Sequence, residues 1–258
     1  MTGPVRLLRW FLGMIVGERA GPAPISALRS IAQPPEYSPS RTDRPYRAVS
    51  IFLSLPLARA GATPNGITIG WILVGLAGVS AFLVDGWAAH VAGALLLQLS
   101  YLLDFVDGEV ARLTDRRSLS GGFLDLLGHG LIKASLPMAV GAAAGWPTGR
   151  PWLLVAGGVA AVAIVVGDTL RFYAACTINE LSGGDLGHTV VTQRSGRRPS
   201  LTRIVATAFD LSFESPGLYG LTVVAALADR LDLLVVYWAV GGLAWFWLRA
   251  VTYCRRMA

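Results

Sequence analysis

The sequence predicts an all-α integral membrane protein, a six-transmembrane-helix bundle with an N-terminal amphipathic interfacial helix. Three observations lead there: apolar residues gather into long blocks, few charges interrupt them, and basic residues collect on alternate connections between them. Of the 258 residues, 53% are hydrophobic and 15% charged, with a mean hydropathy of +0.55. A soluble domain carries about 25% charged residues.

Crossing a hydrocarbon core of about 30 Å takes about 20 residues of helix. Six blocks of roughly that length lie at residues 66–84, 87–106, 122–146, 152–175, 211–228 and 232–252. The fifth is the weakest, because Glu214 and Pro216 interrupt its start. The net charge of +6 is explained by orientation, and no nucleic-acid partner is needed. Of the 22 basic residues, 19 lie before the first block, after the second, between the last turns of the fourth and the start of the fifth, or at the C-terminal end. Arg150 and Arg230 lie on the opposite side, and Lys133 sits inside the third block. The positive-inside rule then places both termini, and any site built at that face, in the cytoplasm of a multi-pass inner or plasma membrane protein. Cys176 and Cys254 fall at the same face, with no metal or redox spacing, and read as free thiols.

Residues 1–40 form a segment of their own before a membrane domain over 41–258. Arg6 to Val16 sets two arginines against Leu7, Leu8, Trp10, Phe11, Met14 and Ile15, the pattern of a helix lying in the headgroup layer. Pro22, Pro24, Pro34, Pro35 and Pro39 then mark an irregular linker. A second amphipathic segment, about Tyr46 to Leu57, leads to Thr63-Pro64-Asn65-Gly66, where Pro and Gly suit a turn into the first span. The polar, glycine-rich stretch Thr177 to Arg203 suits a loop beside a site or a plain connector.

The chemistry concentrates at the end of the second block. Asp104 and Asp107 are spaced i, i+3, which puts both carboxylates on one helical face. Ionised groups at membrane depth cost several kcal/mol unless paired, hydrated or bound to metal. Asp125 and His129, spaced i, i+4 near the start of the third block, let two helices present four such groups to one cavity. Arg112, Arg116 and Arg117 offer a simpler explanation, neutralisation of the acids. Gly108, Ala111, Gly121 and Gly122 leave room for a ligand against the backbone. The Arg112 guanidinium suits a diphosphate, and hard carboxylate oxygens suit Mg²⁺ or Mn²⁺.

The run Asp104-x2-Asp107-Gly108-x2-Ala111-Arg112-x8-Gly121-x3-Asp125-x3-His129 resembles the signature of the CDP-alcohol phosphatidyltransferase family at every fixed position but the last, which is Asp in the family pattern. Thr63-Pro64-Asn65-Gly66-Ile67-Thr68 is similar to the family's entry into its first span, and the resemblance covers roughly residues 40–255. It implies a homodimeric six-helix enzyme of phospholipid biosynthesis. Such an enzyme transfers a phosphatidyl or other phospho-alcohol group from a CDP-alcohol donor, CDP-diacylglycerol above all, to a hydroxyl acceptor and releases CMP. It also implies that Asp104, Asp107 and Asp125 ligate two divalent ions, Mg²⁺ or Mn²⁺, while Gly108, Ala111 and Arg112 line the CDP site.

His129 stands where the family has the aspartate that completes the metal site and serves as general base. Three roles are open to it. It is the base, with an ordinary pKa of about 6.5 against about 3.9 for Asp. It is a metal ligand, its nitrogen favouring Mn²⁺ or Zn²⁺ over Mg²⁺. Or it marks an inactive member that acts as a CDP-binding, metal-binding or scaffold subunit.

Among the remaining polar residues, Arg171 suits an acceptor phosphate, oriented by Asp168 one turn earlier, or else the two form an ion pair. Lys133 lies one turn beyond His129 and faces either the cavity or the headgroups. Asn65 and Thr68 suit contacts to cytidine or a cap on the first span. His90 and His188 read as solvated. A membrane prenyltransferase also binds diphosphates through aspartates, but it leaves the Asp-Gly-x2-Ala-Arg portion unexplained.

Overall fold

A computed structural model describes residues 25–34, 42–181 and 201–257. Among them are nine helices and no strand: α1 Ile25–Ala32, α2 Arg44–Arg59, α3 Pro64–Ala81, α4 Trp87–Thr114, α5 Leu119–Gly145, α6 Trp152–Leu181, α7 Leu201–Leu211, α8 Ser215–Leu227 and α9 Leu231–Met257. Residues 6–16 and His188, for which expectations were stated, lie outside the described residues, as does most of the 177–203 stretch. Where that stretch is described it is helical, since α6 runs to Leu181 and α7 starts at Leu201. The linker expected around residues 22–39 is likewise helical over Ile25–Ala32.

The chain is an integral membrane protein. Among the described residues, five helices are long and apolar enough to cross a bilayer: α3, α4, α5, α6 over Trp152–Ala174, and α9 over Leu231–Arg255. The expected sixth crossing is shorter than the sequence suggested. At 13 residues, α8 is about 20 Å long, short of the roughly 30 Å core. The three residues before it, Ser212, Phe213 and Glu214, separate it from α7.

The chain divides into two compact units, one made of the residues up to Trp71 with Leu102–Asp125, the other of Ile72–Tyr101 with Leu126 onward. In the first unit the core joins α1, α2 and the end of α4. Val106, Val110 and Leu113 recur at i, i+4, i+7 and make one stripe of α4, against which Leu28, Ala32, Ile51 and Ala58 are buried. The expected amphipathic segment is therefore real, but it spans Arg44–Arg59, with Ser50, Ile51, Ser54 and Ala58 inward and Val49 and Phe52 exposed.

Local chemistry sets the helix ends. The turn into α3 lies earlier than the Pro64-Gly66 position expected for it. Gly61 takes φ +76°, and the Gly61 and Ala62 N–H groups donate to the Ala58 and Leu57 carbonyls, which closes α2 in a Schellman motif. Pro64 is then the first residue of α3, and the Gly66 N–H donates to Thr63 Oγ1 at 3.2 Å. Thr63 is thus the cap, with proline in the position that lacks an intrahelical donor partner anyway. Ser118 does the same for α5 by accepting from the Gly121 N–H at 3.0 Å.

The second unit is packed by small residues at helix crossings and by aromatic side chains. A Cβ on Gly93 of α4 would stand 2.6 Å from the Gly78 carbonyl oxygen of α3, and one on Gly141 of α5 would stand 2.6 Å from the Leu153 carbonyl oxygen of α6. Such close approach of backbones is how helices gain van der Waals contact in lipid, where apolar burial between helices offers little. Between α6 and α9 the filler is Trp245, which lies against Gly167. Trp238 and Phe213 are fully buried, and the Phe213 ring centre lies 5.5 Å from that of Trp245. Val155, Val162, Val240 and Leu248 of the same helices are exposed, the surface that lipid covers.

Gly141→Val should force α5 from α6 and cost about 1–3 kcal/mol by overpacking. Thermal unfolding in detergent checks this, with a midpoint several degrees below wild type expected and an unchanged midpoint counting against the close crossing.

Candidate metal and diphosphate site

The sequence requires the acids of α4 to sit where the helix leaves the hydrocarbon. Its 28 residues reach about 42 Å, more than the roughly 30 Å core, so the last turns from Asp104 onward overshoot it. Asp104, Asp125 and His129 are each half-buried, and one ligand atom from each lies within 4.8 Å of the other two. His129 follows Asp125 by one turn of the unbroken helix α5, so the i, i+4 spacing alone puts both on one face. Two carboxylate oxygens and one imidazole nitrogen at this separation fit a divalent cation of the Mg²⁺, Mn²⁺ or Zn²⁺ type.

Asp107 is not among the three. Its Oδ2 accepts from Thr68 Oγ1 at 2.7 Å and from Trp71 Nε1 at 2.9 Å, and the side chain is buried. Thr68 is therefore an orienting donor to a carboxylate, and the capping role considered for it belongs to Thr63. Trp71, which the sequence reading did not single out, is 1% exposed. Its position three residues after Thr68, on the same face of α3, was the available signal.

The small residues have distinct neighbours. A Cβ on Gly108 would meet Arg112 Nη1 at 3.3 Å and Nη2 at 3.4 Å, so the guanidinium lies across the bare glycine. Arg112 Nε donates to the Ala32 carbonyl at 2.6 Å, and Ala111 beside it is half-buried. Gly121 faces Asn65, whose Oδ1 would be 2.8 Å from a Cβ there. Asn65 also stands 3.4 Å from the hydroxyls of Ser118 and Ser120, so it joins the starts of α3 and α5.

Glu109 is the largest omission from the sequence reading. It is fully buried and accepts from Ser50, Ser54 and Gln33. The signal was an acid two residues past Asp107, about 200° around the helix at 100° per residue and so on a face away from the other acids. Arg47 stands near it. Burial lowers the Arg47 pKa from its ordinary value, and Glu109 and Asp43 pull it back up.

The second unit corrects the pairing expected between Asp168 and Arg171. Asp168 pairs with Lys133, and Arg171 pairs with Glu214, because each side chain reaches a partner on another segment before it reaches its helical neighbour. Arg249 stacks on the Trp245 ring at 4.2 Å and pairs with Asp210 at 2.6 Å and Glu214 at 3.5 Å. These contacts tie α7 and the approach to α8 to α9. His90 stacks on Phe82 at 5.7 Å between ring centres, so it is a packed side chain where a solvated one was expected. Cys176 and Cys254 are free, as the sequence implied.

An all-helical membrane protein with an Asp/Asp/His cluster next to a small-residue and arginine surface is a class suited to metal-assisted handling of diphosphates. Residues 62–225 match the family described as CDP-alcohol phosphatidyltransferase, and the chain belongs to that family. It is also similar to an archaetidylinositol phosphate synthase from Aeropyrum pernix, 44% identical over 69 residues. That match covers 27% of this chain and 34% of the relative, so the chain spans about a third of the relative's length.

Asp104→Asn and Asp125→Asn should each abolish the thermal stabilisation of the detergent-solubilised protein by Mn²⁺, since each removes a charged donor. A Mn²⁺-dependent shift that survives both substitutions would place the cation elsewhere.

Proposed function

We propose that this protein transfers a substituted phosphate group from a CDP-alcohol, foremost CDP-diacylglycerol, to a hydroxyl acceptor and releases CMP. The single observation that carries this reading is the gathering of Asp104, Asp125 and His129 within 4.8 Å on the two helices that bear Gly108, Arg112 and Gly121. Membership of the family supports the reaction class.

In the reaction the acceptor oxygen forms a bond to the phosphorus that bears the donor alcohol, and the bond from that phosphorus to the CMP oxygen breaks. The acceptor proton leaves to a base, and CMP departs with the bonding electrons. Two divalent ions, Mg²⁺ or Mn²⁺, when bound, would neutralise the diphosphate and the charge that grows on the departing CMP. Asp104, Asp125 and His129 would hold the cations, and Asp107, oriented by Thr68 and Trp71, faces the same helical side as Asp104. Arg112 lies over Gly108 where a diphosphate can be gripped bidentately. Asn65 and Gly121 border the room left for the cytidine.

His129 serves as a cation ligand in this reading, because its ring shares the cluster with both carboxylates. A role as general base is the second reading, and it is favoured by the same position. The acceptor is a phosphorylated polyol. The relative is named an archaetidylinositol phosphate synthase, and Arg171, 44% exposed beside Glu214, is the cation of the second unit best placed to meet a phosphate. The arginine distribution supports cytoplasmic termini and a cytoplasmic site, and the family resemblance supports a homodimer.

Purified protein with CDP-diacylglycerol, a panel of hydroxyl acceptors and Mg²⁺, Mn²⁺ or Zn²⁺ should release CMP, and chelation of the metal should abolish release. A wild type that binds donor and metal yet releases no CMP with any acceptor would make it a binding subunit instead.

His129→Ala should raise the metal concentration needed for half-maximal turnover by about tenfold or more, the scale of one lost interaction with a charged partner. His129→Asp should restore Mg²⁺ use. If His129→Ala changes only the pH profile of kcat and leaves metal affinity intact, the base reading replaces the ligand reading.

A further inference from the structure

The first unit contains a buried polar knot that the transfer chemistry does not use. Glu109 has 0% exposure. Its Oε1 accepts from Gln33 Nε2 at 2.7 Å and Ser50 Oγ at 2.5 Å, and its Oε2 accepts from Ser54 Oγ at 2.6 Å. Gln33 Nε2 also donates to the Arg47 carbonyl at 2.6 Å. A buried carboxylate is expensive unless its oxygens are satisfied, and here, among the described residues, its donors come from the end of α1 and from α2. The apolar contacts of Leu28, Ala32, Ile51 and Ala58 hold these helices against α4, but apolar burial is not directional. The carboxylate supplies the register.

That register matters because of Arg112. It lies three residues after Glu109, on the same side of α4, and its Nε donates to the carbonyl of Ala32, the residue immediately before Gln33. The carbonyl that aims the guanidinium and the amide that Glu109 holds are therefore neighbours in one short stretch of chain. Asp104 and Asp107 point to a different face of the helix, about 140° and 200° away at 100° per residue. Glu109 thus acts on the arginine and not on the cation cluster.

We propose that Glu109, through Gln33 and the Ala32 carbonyl, is a positioning residue that sets how Arg112 is presented across Gly108 to the diphosphate of the CDP donor. The N-terminal helices α1 and α2 are then part of the donor site. The inference rests on the reading of Arg112 as a donor contact.

The test is equilibrium binding of CDP-diacylglycerol in detergent micelles with Mn²⁺, alongside Mn²⁺ stabilisation without nucleotide, for wild type, Gln33→Ala, Glu109→Ala and Glu109→Gln. Glu109→Ala should weaken donor binding about tenfold or more, the scale of lost hydrogen bonds to a charged group, and Gln33→Ala should weaken it by a smaller factor in the same direction. Glu109→Gln should recover most of the affinity, since its carbonyl oxygen accepts from Gln33 and Ser50 while its amide donates to Ser54 Oγ. Mn²⁺ stabilisation should match wild type in all variants that fold. Wild-type donor affinity in Gln33→Ala and Glu109→Ala, or a parallel loss of the Mn²⁺ response, overturns the proposal. Should Glu109→Ala not fold, Gln33→Ala decides the matter, because it removes a half-buried side chain and leaves Glu109 with its Ser50 and Ser54 donors. A wild type that responds to Mn²⁺ but binds no CDP-diacylglycerol overturns the transferase reading as well, whereas wild-type binding with unaffected variants overturns only the positioning role.

Discussion

Charge at the edge of a low-dielectric layer is the constraint on which this protein is built. Ionised side chains carried into lipid cost several kcal/mol each unless something compensates them, yet the last turns of α4 hold Asp104, Asp107, Glu109 and Arg112 within nine residues. Each receives a separate solution. Asp104 joins the donor cluster with Asp125 and His129, Asp107 is held by Thr68 and Trp71, Glu109 by Gln33, Ser50 and Ser54, and Arg112 by the Ala32 carbonyl. Because successive residues turn by about 100°, these four groups face different neighbours. The helix is therefore gripped from several sides at the level where its chemistry lies.

This arrangement explains why the segments around α4 have the composition they do. The starts of α3 and α5 carry hydroxyl and amide side chains, Thr63, Asn65, Thr68, Ser118 and Ser120, which cap helices and bind carboxylates. Their farther parts carry glycine and aliphatic residues that pack in lipid. Proline at position 64 and glycine at position 61 divide the labour of leaving α2 and entering α3: glycine takes the left-handed conformation, and proline starts the new helix where a donor would go unused.

The second unit handles charge in the same way but with ion pairs. Lys133 and Asp168 neutralise each other between α5 and α6. Arg171, Glu214, Arg249 and Asp210 form a chain from α6 through α7 to α9. Trp245 serves both sides of this boundary. Its ring fills the space over Gly167 while its Nε1 donates to Asp210 at 2.8 Å, the usual behaviour of an aromatic side chain with an apolar body and a polar end.

The sequence by itself determined the class of fold and the helix that carries the acids, and it pointed to Asp104, Asp125 and His129 as neighbours, whereas Asp107, expected beside them, is held by Thr68 and Trp71. Hydropathy blocks and helical spacing are local properties, and Asp125 and His129 share a face whatever surrounds them. It also determined the family, since the fixed spacing from Asp104 to Asp125 is linear information. Only tertiary structure decided which partner each charge takes. Asp168 and Arg171 are one turn apart but pair with Lys133 and Glu214, and Glu109 is satisfied by residues 55 to 76 positions away, because burial makes every polar atom seek the nearest donor or acceptor in space. It also decided that α8 is a short helix of 13 residues. Composition reports that a segment is apolar, whereas the turn at Ser212 to Glu214, fixed by the packing of α7 against α8 and by the pairing of Glu214 with Arg171, determines where its helix begins.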